Sequence, residues 1–224
     1  MRTRKSRGAP AISGHTEPFA VLGHPIGHTL SPAMHNANFR SLKMDAIYLA
    51  FDVDPARLQE VLLAMAAMGF KGVNLTVPLK EVAFRSLREL DESAGRLGAV
   101  NTVEFTPSGM KGHNTDGKGF LLAIREAFRR DVHGLSVFVL GSGGAGRAVA
   151  ITCAAAGAKS VAVTDVYVAR ATRVAREIRL KAPRARIECV SAATEAWEEA
   201  CGKADLVVQA TPVGMKRGER SLLP

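Results

Sequence analysis

The stretch VFVLGSGGAG at residues 137–146 admits few folds. An apolar run that stops at a glycine-rich turn and passes directly into RAVAITCAAAGA is how a buried strand feeds a helix. Gly141, Gly143 and Gly146 give the spacing G-x-G-x-x-G, and roughly 20 residues on, Asp165 closes a second apolar run, SVAVTD. In a dinucleotide-binding unit the first glycine makes the tight turn, the second lets backbone approach a pyrophosphate, and the third lets helix pack on strand. The helix start adds free N–H groups and a positive dipole end. The six residues Gly141, Ser142, Gly143, Gly144, Ala145 and Gly146 are therefore the expected phosphate seat, with Asp165 reaching the ribose. The alternative is a plain strand-to-helix turn without ligand, which has no need of the acid at that distance.

The glycine loop begins well past the middle of the 224 residues, so a separate N-terminal domain is expected. A content of 47% hydrophobic and 23% charged residues is that of an ordinary globular chain. Three cysteines, Cys153, Cys189 and Cys201, show neither an even count nor metal-ligand spacing, which argues against a disulfide framework or a zinc site and for a reducing cytoplasm. The longest apolar stretches fall short of a membrane span. The first residues, RTRKSRGAPAISG, lack the apolar segment of a secretory signal and read as a flexible basic tail over 1–16. A net charge of +9 raises nucleic-acid binding as a function. The charge is scattered, much of it in the tail and in residues 170–186, and one Trp with two Tyr supplies no stacking set. Nucleic acid and membrane are excluded as partners, and a small anionic ligand is favoured.

Strands are expected at 19–23, 47–53, 72–77, 100–105 and 110–114, the last two joined as a hairpin through TPSG. Helices are expected at 33–42 with Ser31 as N-cap, from 54 to Gly69, at 79–90 and at 117–130. The methionines of the second helix read as core filling. Beyond residue 136, strands and helices alternate, which implies right-handed crossovers and a parallel sheet. The fold class is α/β, with a substrate domain over 17–116, a connecting helix over 117–130 and a Rossmann-like dinucleotide domain over 131–224.

Three polar clusters fall at strand ends, where an α/β protein binds its ligand. They are HTLS at 28–31, NLTVPLK at 74–80, and Asn101-Thr102 with NTDG at 114–117. Hydroxyls, amides, one lysine and one carboxylate suit a polyhydroxylated carboxylate. Each residue alone also has a plain structural use, as turn, cap or solvated helix residue.

GHPIGHTLSPAMHN, GVNLTVPLKE, GAVNT, HNTDG, GSGGAGRA and QATPVGM occur together in an order and spacing that resemble the shikimate dehydrogenases, including the quinate/shikimate dehydrogenases. The resemblance implies an NAD(P)-dependent oxidoreductase acting on a CH–OH group, reversibly reducing 3-dehydroshikimate to shikimate in aromatic amino-acid (chorismate) biosynthesis. It implies Lys80 and Asp116 as the catalytic pair and Thr29 and Ser31 as holders of the substrate carboxylate. Thr76, Asn101, Lys80 and Asp116 would bind ring hydroxyls. On the cofactor side it adds Thr211 and, as a weaker transfer, Glu92 to the glycine loop. The chemistry agrees: hydride delivery to a ketone leaves negative charge on its oxygen, so a proton donor must stand within reach.

Three departures from the family pattern carry expectations of their own. Asp165-Val166-Tyr167 stands where NADP users carry Asn-Arg-Thr, so NAD is the expected cofactor, with Arg170 and Arg173 near enough to leave NADP open. Thr29 replaces a serine, and Gln209 an asparagine. The family continues for some 50 or more residues, so the dinucleotide domain reads as truncated at its C-terminal end. A ligand-binding regulatory homologue without turnover, and a different two-domain nicotinamide enzyme, are the competing functions. A homodimer is compatible with the sequence.

Overall fold

The computed structural model describes residues 12–214, 218, 219 and 222. The first eleven residues of the expected basic tail, and Met215 of QATPVGM, lie outside the described residues. The chain parts into two compact units between Asn114 and Thr115.

The first unit is built from β1 (Glu17–Gly23), α1 (Ser31–Leu42), β2 (Ala46–Asp52), a 3₁₀ turn at Pro55–Arg57, α2 (Leu58–Ala67), β3 (Gly72–Leu75), α3 (Leu79–Ser86), β4 (Glu89–Leu90), α4 (Glu92–Leu97), β5 (Thr102–Thr106) and β6 (Gly109–His113). Its sheet runs β2-β1-β3-β5-β6-β4. β1 is parallel to β2 and β3, whereas β5 is antiparallel to both β3 and β6. Alternation along β1 divides the core. Ala20 and Leu22 join Leu58, Leu62, Leu79, Val100 and Val103 on one face, while Val21 meets Ile26 and Tyr48 on the other, with Phe39 of α1 packed against them. Fully burying each of these leucines contributes about 1.5–3 kcal/mol.

Several local expectations change here. Ser31 is not an N-cap: the helix begins on it, the cap is Leu30, and no side chain closes that cap. Asp54 does cap, accepting from the Ala56 N–H at 2.8 Å. The helix expected over 79–90 ends at Ser86, since Leu87 is extended, and the chain then forms β4 and α4, with Asp91 accepting from the Ala94 N–H at 2.8 Å. Met65 is core, but Met68 is 65% exposed beyond the helix end and fills nothing.

The second unit comprises α5 (Asp116–Phe128), β7 (Ser136–Leu140), α6 (Gly144–Ala155), β8 (Ser160–Thr164), α7 (Val168–Lys181), β9 (Arg186–Cys189), α8 (Thr194–Lys203) and β10 (Leu206–Gln209). Among the described residues its sheet is all parallel, ordered β10-β7-β8-β9. The run 137–140 is buried throughout, as a central parallel strand requires. α6 packs on α7, and α5 packs on α6, so the helix expected as a connector sits within this unit. Along α7, Ala171, Val174, Ala175 and Ile178 face the core, leaving Arg170, Arg173, Arg176 and Arg179 on the solvated side. No helix among the described residues is long and apolar enough to cross a membrane.

Candidate active site

In the first unit, adjacent strands bring distant residues to one edge of the sheet. β1 and β3 are parallel neighbours, so the loop after each leaves at the same end. The two loops are tied there: His24 N–H donates to Val77 O at 3.2 Å, and Thr76 N–H to Leu22 O at 2.9 Å. A Cβ on Gly23 would fall 2.6 Å from Thr76 Cγ2, so glycine permits that approach. Asn101 joins the same edge, because its carbonyl accepts from Leu75 N–H at 2.8 Å and its own N–H donates to His113 O at 3.0 Å.

Thr29, Ser31, Thr76, Lys80 and Asn101 therefore all lie on segments that leave this one end of the sheet. Thr29 Oγ1 donates to Ser31 Oγ at 3.2 Å and accepts from Ser31 N–H at 3.3 Å, which fixes two hydroxyls side by side at the start of α1. Lys80 lies in the first turn of α3, half-buried, its carbonyl accepting from Val100 N–H at 2.9 Å. Asn101 is 8% exposed, and its Oδ1 accepts from Thr102 Oγ1 at 2.9 Å. Glu92 stands apart on α4, exposed and ion-paired with Arg96.

Sequence reading missed what backs this end of the sheet. Tyr48 Oη donates to Asn74 Oδ1 at 2.5 Å, and Asn74 Nδ2 donates to Thr102 Oγ1 at 3.0 Å, giving a chain from β2 through β3 to Asn101. Burial pushes the Tyr48 phenol up to about 12, so it stays a donor. On the outer side, His24 Nδ1 meets Asp52 Oδ1, while Asp52 Oδ2 accepts from Ile26 N–H at 3.4 Å. No short-range spacing announces either set, since the partners are 26 and 28 residues apart.

Asp116 opens α5 in the second unit, where a carboxylate suits the positive end of the helix. The glycine loop has the shape its spacing predicts. Gly141 has φ of +94°, a left-handed conformation that favours glycine, and packs on Ala210 and Thr211. A Cβ on Gly146 would stand 1.8 Å from Gly141 O, so helix and turn are in backbone contact. At Gly143 and Gly144 a Cβ would meet nothing within 4 Å, which leaves open backbone at the head of α6. An open cradle of this kind fits a dinucleotide pyrophosphate. Gln209 replaces the expected asparagine usefully: Oε1 accepts from Thr211 N–H at 2.5 Å and Nε2 donates to Val213 O at 2.7 Å, closing the loop that carries Thr211.

Asp165 has a structural use within its own unit. It is 9% exposed; Oδ2 accepts from Ser142 N–H and Oδ1 from Tyr167 N–H, both at 2.8 Å. The carboxylate thus braces the glycine loop against the turn after β8. Next to it, the exposed Arg170 guanidinium lies 4.5 Å from the centre of the Tyr167 ring.

Residues 21–103 match the family model of the shikimate dehydrogenase substrate binding domain. The chain is 41% identical over 209 residues to a shikimate dehydrogenase (NADP(+)) of Methanopyrus kandleri, covering 93% of this chain and 72% of that protein. It is 43% identical over 199 residues to the enzyme of the same name from Methanosarcina acetivorans, covering 88% and 70%. Among solved structures, shikimate 5-dehydrogenase from Listeria monocytogenes in complex with shikimate and NAD aligns with a TM-score of 0.86 at 34% identity, covering 95% of this chain and 75% of that one.

These comparisons overturn the NAD preference expected from Asp165, because both curated relatives carry NADP(+) in their names. The physical reason lies in that brace: a carboxylate that already accepts one backbone N–H from the glycine loop and one from its own turn is a poor guide to which ribose substituent is accepted. With two-fifths identity across nearly its whole length and the fold of the solved enzymes, the chain belongs to the shikimate dehydrogenase family.

Proposed function

We propose that the chain catalyses the reversible reduction of 3-dehydroshikimate to shikimate with NADPH, a step towards chorismate in a reducing cytoplasm. The observation that supports this reading is that two paired hydroxyls, a lysine and a buried amide lie on segments leaving one end of the first sheet, in a chain of this family. Thr29 and Ser31 receive the substrate carboxylate. Thr76 and Asn101 bind ring hydroxyls. Lys80 gives its proton to the carbonyl oxygen as that oxygen becomes a hydroxyl, and takes it back in the oxidative direction. Asp116 is the second member of the catalytic pair that the family resemblance implies.

The dinucleotide, when bound, supplies the hydride. Gly141, Ser142, Gly143, Gly144, Ala145 and Gly146 would hold its pyrophosphate, with Thr211 beside the turn and Arg170 offering its cation to the adenosine end. Three free cysteines without a disulfide support the cytoplasmic setting.

Initial rates of shikimate and quinate oxidation with NADP and with NAD, on this chain and on Lys80→Ala, test the reading. The expected result is NADP-linked oxidation of shikimate that falls by roughly 10²-fold in the variant. Near-normal turnover in Lys80→Ala removes the lysine from its role, and ligand binding without turnover in either protein points to a regulatory homologue.

A further inference from the structure

Gly117 follows Asp116 in the first turn of α5 and is buried. A Cβ built on it would lie 2.4 Å from Thr152 Oγ1, 3.3 Å from Thr152 Cγ2 and 3.4 Å from Thr152 Cβ. At Gly119, two positions further along, a Cβ would meet nothing within 4 Å, so the close approach belongs to Gly117 alone of the two. Thr152 sits on α6, the helix that starts in the glycine loop, and is 9% exposed. Its β-branched side chain has few helical rotamers into which to retreat. α6 is itself held at its head, where Gly146 touches Gly141 O, and by Arg147, whose guanidinium donates to Glu177 of α7 at 2.6 Å. An added methyl at Gly117 would therefore displace α5 rather than α6.

The geometry points to the Gly117–Thr152 contact as the seat that positions Asp116 relative to the dinucleotide loop. This rests on the catalytic role proposed for Asp116. Gly117 is a positioning residue: it touches no substrate, and acts by letting the first turn of α5 lie directly on the helix that carries the cofactor cradle. A side chain there is roughly 1 Å too close, and a misplacement of that order costs about 10²-fold in turnover.

The test uses Gly117→Ala, Thr152→Ala, the double variant and Asp116→Ala in this chain, with kcat, KM, NADPH affinity by fluorescence and thermal unfolding by circular dichroism. Gly117→Ala is expected to lower kcat by roughly 10- to 100-fold while NADPH affinity stays within about twofold. Thr152→Ala alone keeps near-normal turnover. The double variant, in which Thr152 Oγ1 and Cγ2 are gone and Cβ stands at an ordinary 3.4 Å from the new methyl, recovers most of the lost kcat. Recovery supports the seat even if Gly117→Ala alone fails to fold. A double variant that stays inactive or unfolded overturns it, as does wild-type turnover in Gly117→Ala when Asp116→Ala is inactive. Full turnover in Asp116→Ala overturns both the seat and the role it serves.

Discussion

His24 Nδ1 lies 2.5 Å from Asp52 Oδ1, joining the start of the loop that carries Thr29 and Ser31 to the last residue of β2. Both side chains are about half exposed. The hydrogen bond to Asp52 raises His24 above its ordinary 6.5; loss of solvent opposes it, and the charges of Asp52 and Asp54 add lesser contributions in the same direction as the bond. The same bond lowers Asp52 below 3.8. A raised histidine contributes fully below 6.5 and loses its contribution as pH rises through its folded value. A lowered aspartate loses its contribution only as pH falls through its own. The loop brace is thus complete in mildly acidic solution and released as pH rises through the raised His24 value. Titration of the His24 ring by NMR should show an elevated midpoint that returns towards the ordinary value in Asp52→Asn; an unchanged midpoint in that variant would show that the contact does not persist in solution.

Arg147 and Glu177 lock the cofactor helix to α7. The Arg147 side chain is 10% exposed and that of Glu177 22%, with Nε donating at 3.0 Å and Nη2 at 2.6 Å to Oε2. Glu177→Gln removes the negative charge that takes the Nε and Nη2 bonds of a largely buried guanidinium, and the expected loss is about 3 kcal/mol, the lower end for breaking a buried pair. Urea unfolding measures it. A shift below about 0.5 kcal/mol would place the pair with ordinary surface ion pairs.

Gly146→Ala and Gly144→Ala make a matched pair in the glycine loop. The first puts a methyl 1.8 Å from Gly141 O, which cannot retreat because Gly141 packs on Ala210 and its N–H donates to Thr164 O at 3.0 Å. The second puts a methyl into open space at the head of α6. Overpacking of this kind costs about 1–3 kcal/mol, so NADPH affinity should fall by at least about fivefold in Gly146→Ala. In Gly144→Ala stability should be unchanged, and any loss of affinity reports on ligand contact with the cradle itself. Equal melting temperatures for the two variants would contradict the packing role of Gly146.

Sequence by itself determined the features that depend on neighbours along the chain. The strand, glycine turn and helix at 136–155 follow from apolar run, left-handed turn and helix start, all within a few residues of one another. The alternation that follows follows equally, as does the solvated arginine face of α7, from helical periodicity. Thr29, Ser31, Thr76, Lys80 and Asn101 were legible because their motifs end strands.

Tertiary structure decided how those residues are used. Nothing beside Asp165 in the sequence says that its carboxylate accepts from the Ser142 N–H, 23 residues earlier, so the position of the acid alone misleads on the choice of cofactor. Ser31 looked like a cap until Thr29 took its N–H and the helix began one residue early. Tyr48 backs Asn74 from another strand, and Gly117 admits Thr152 from another helix. The reason is common to all four. Propensity and periodicity describe what a segment offers, whereas hydrogen-bond partners and contact distances are fixed only when strands pair and helices pack.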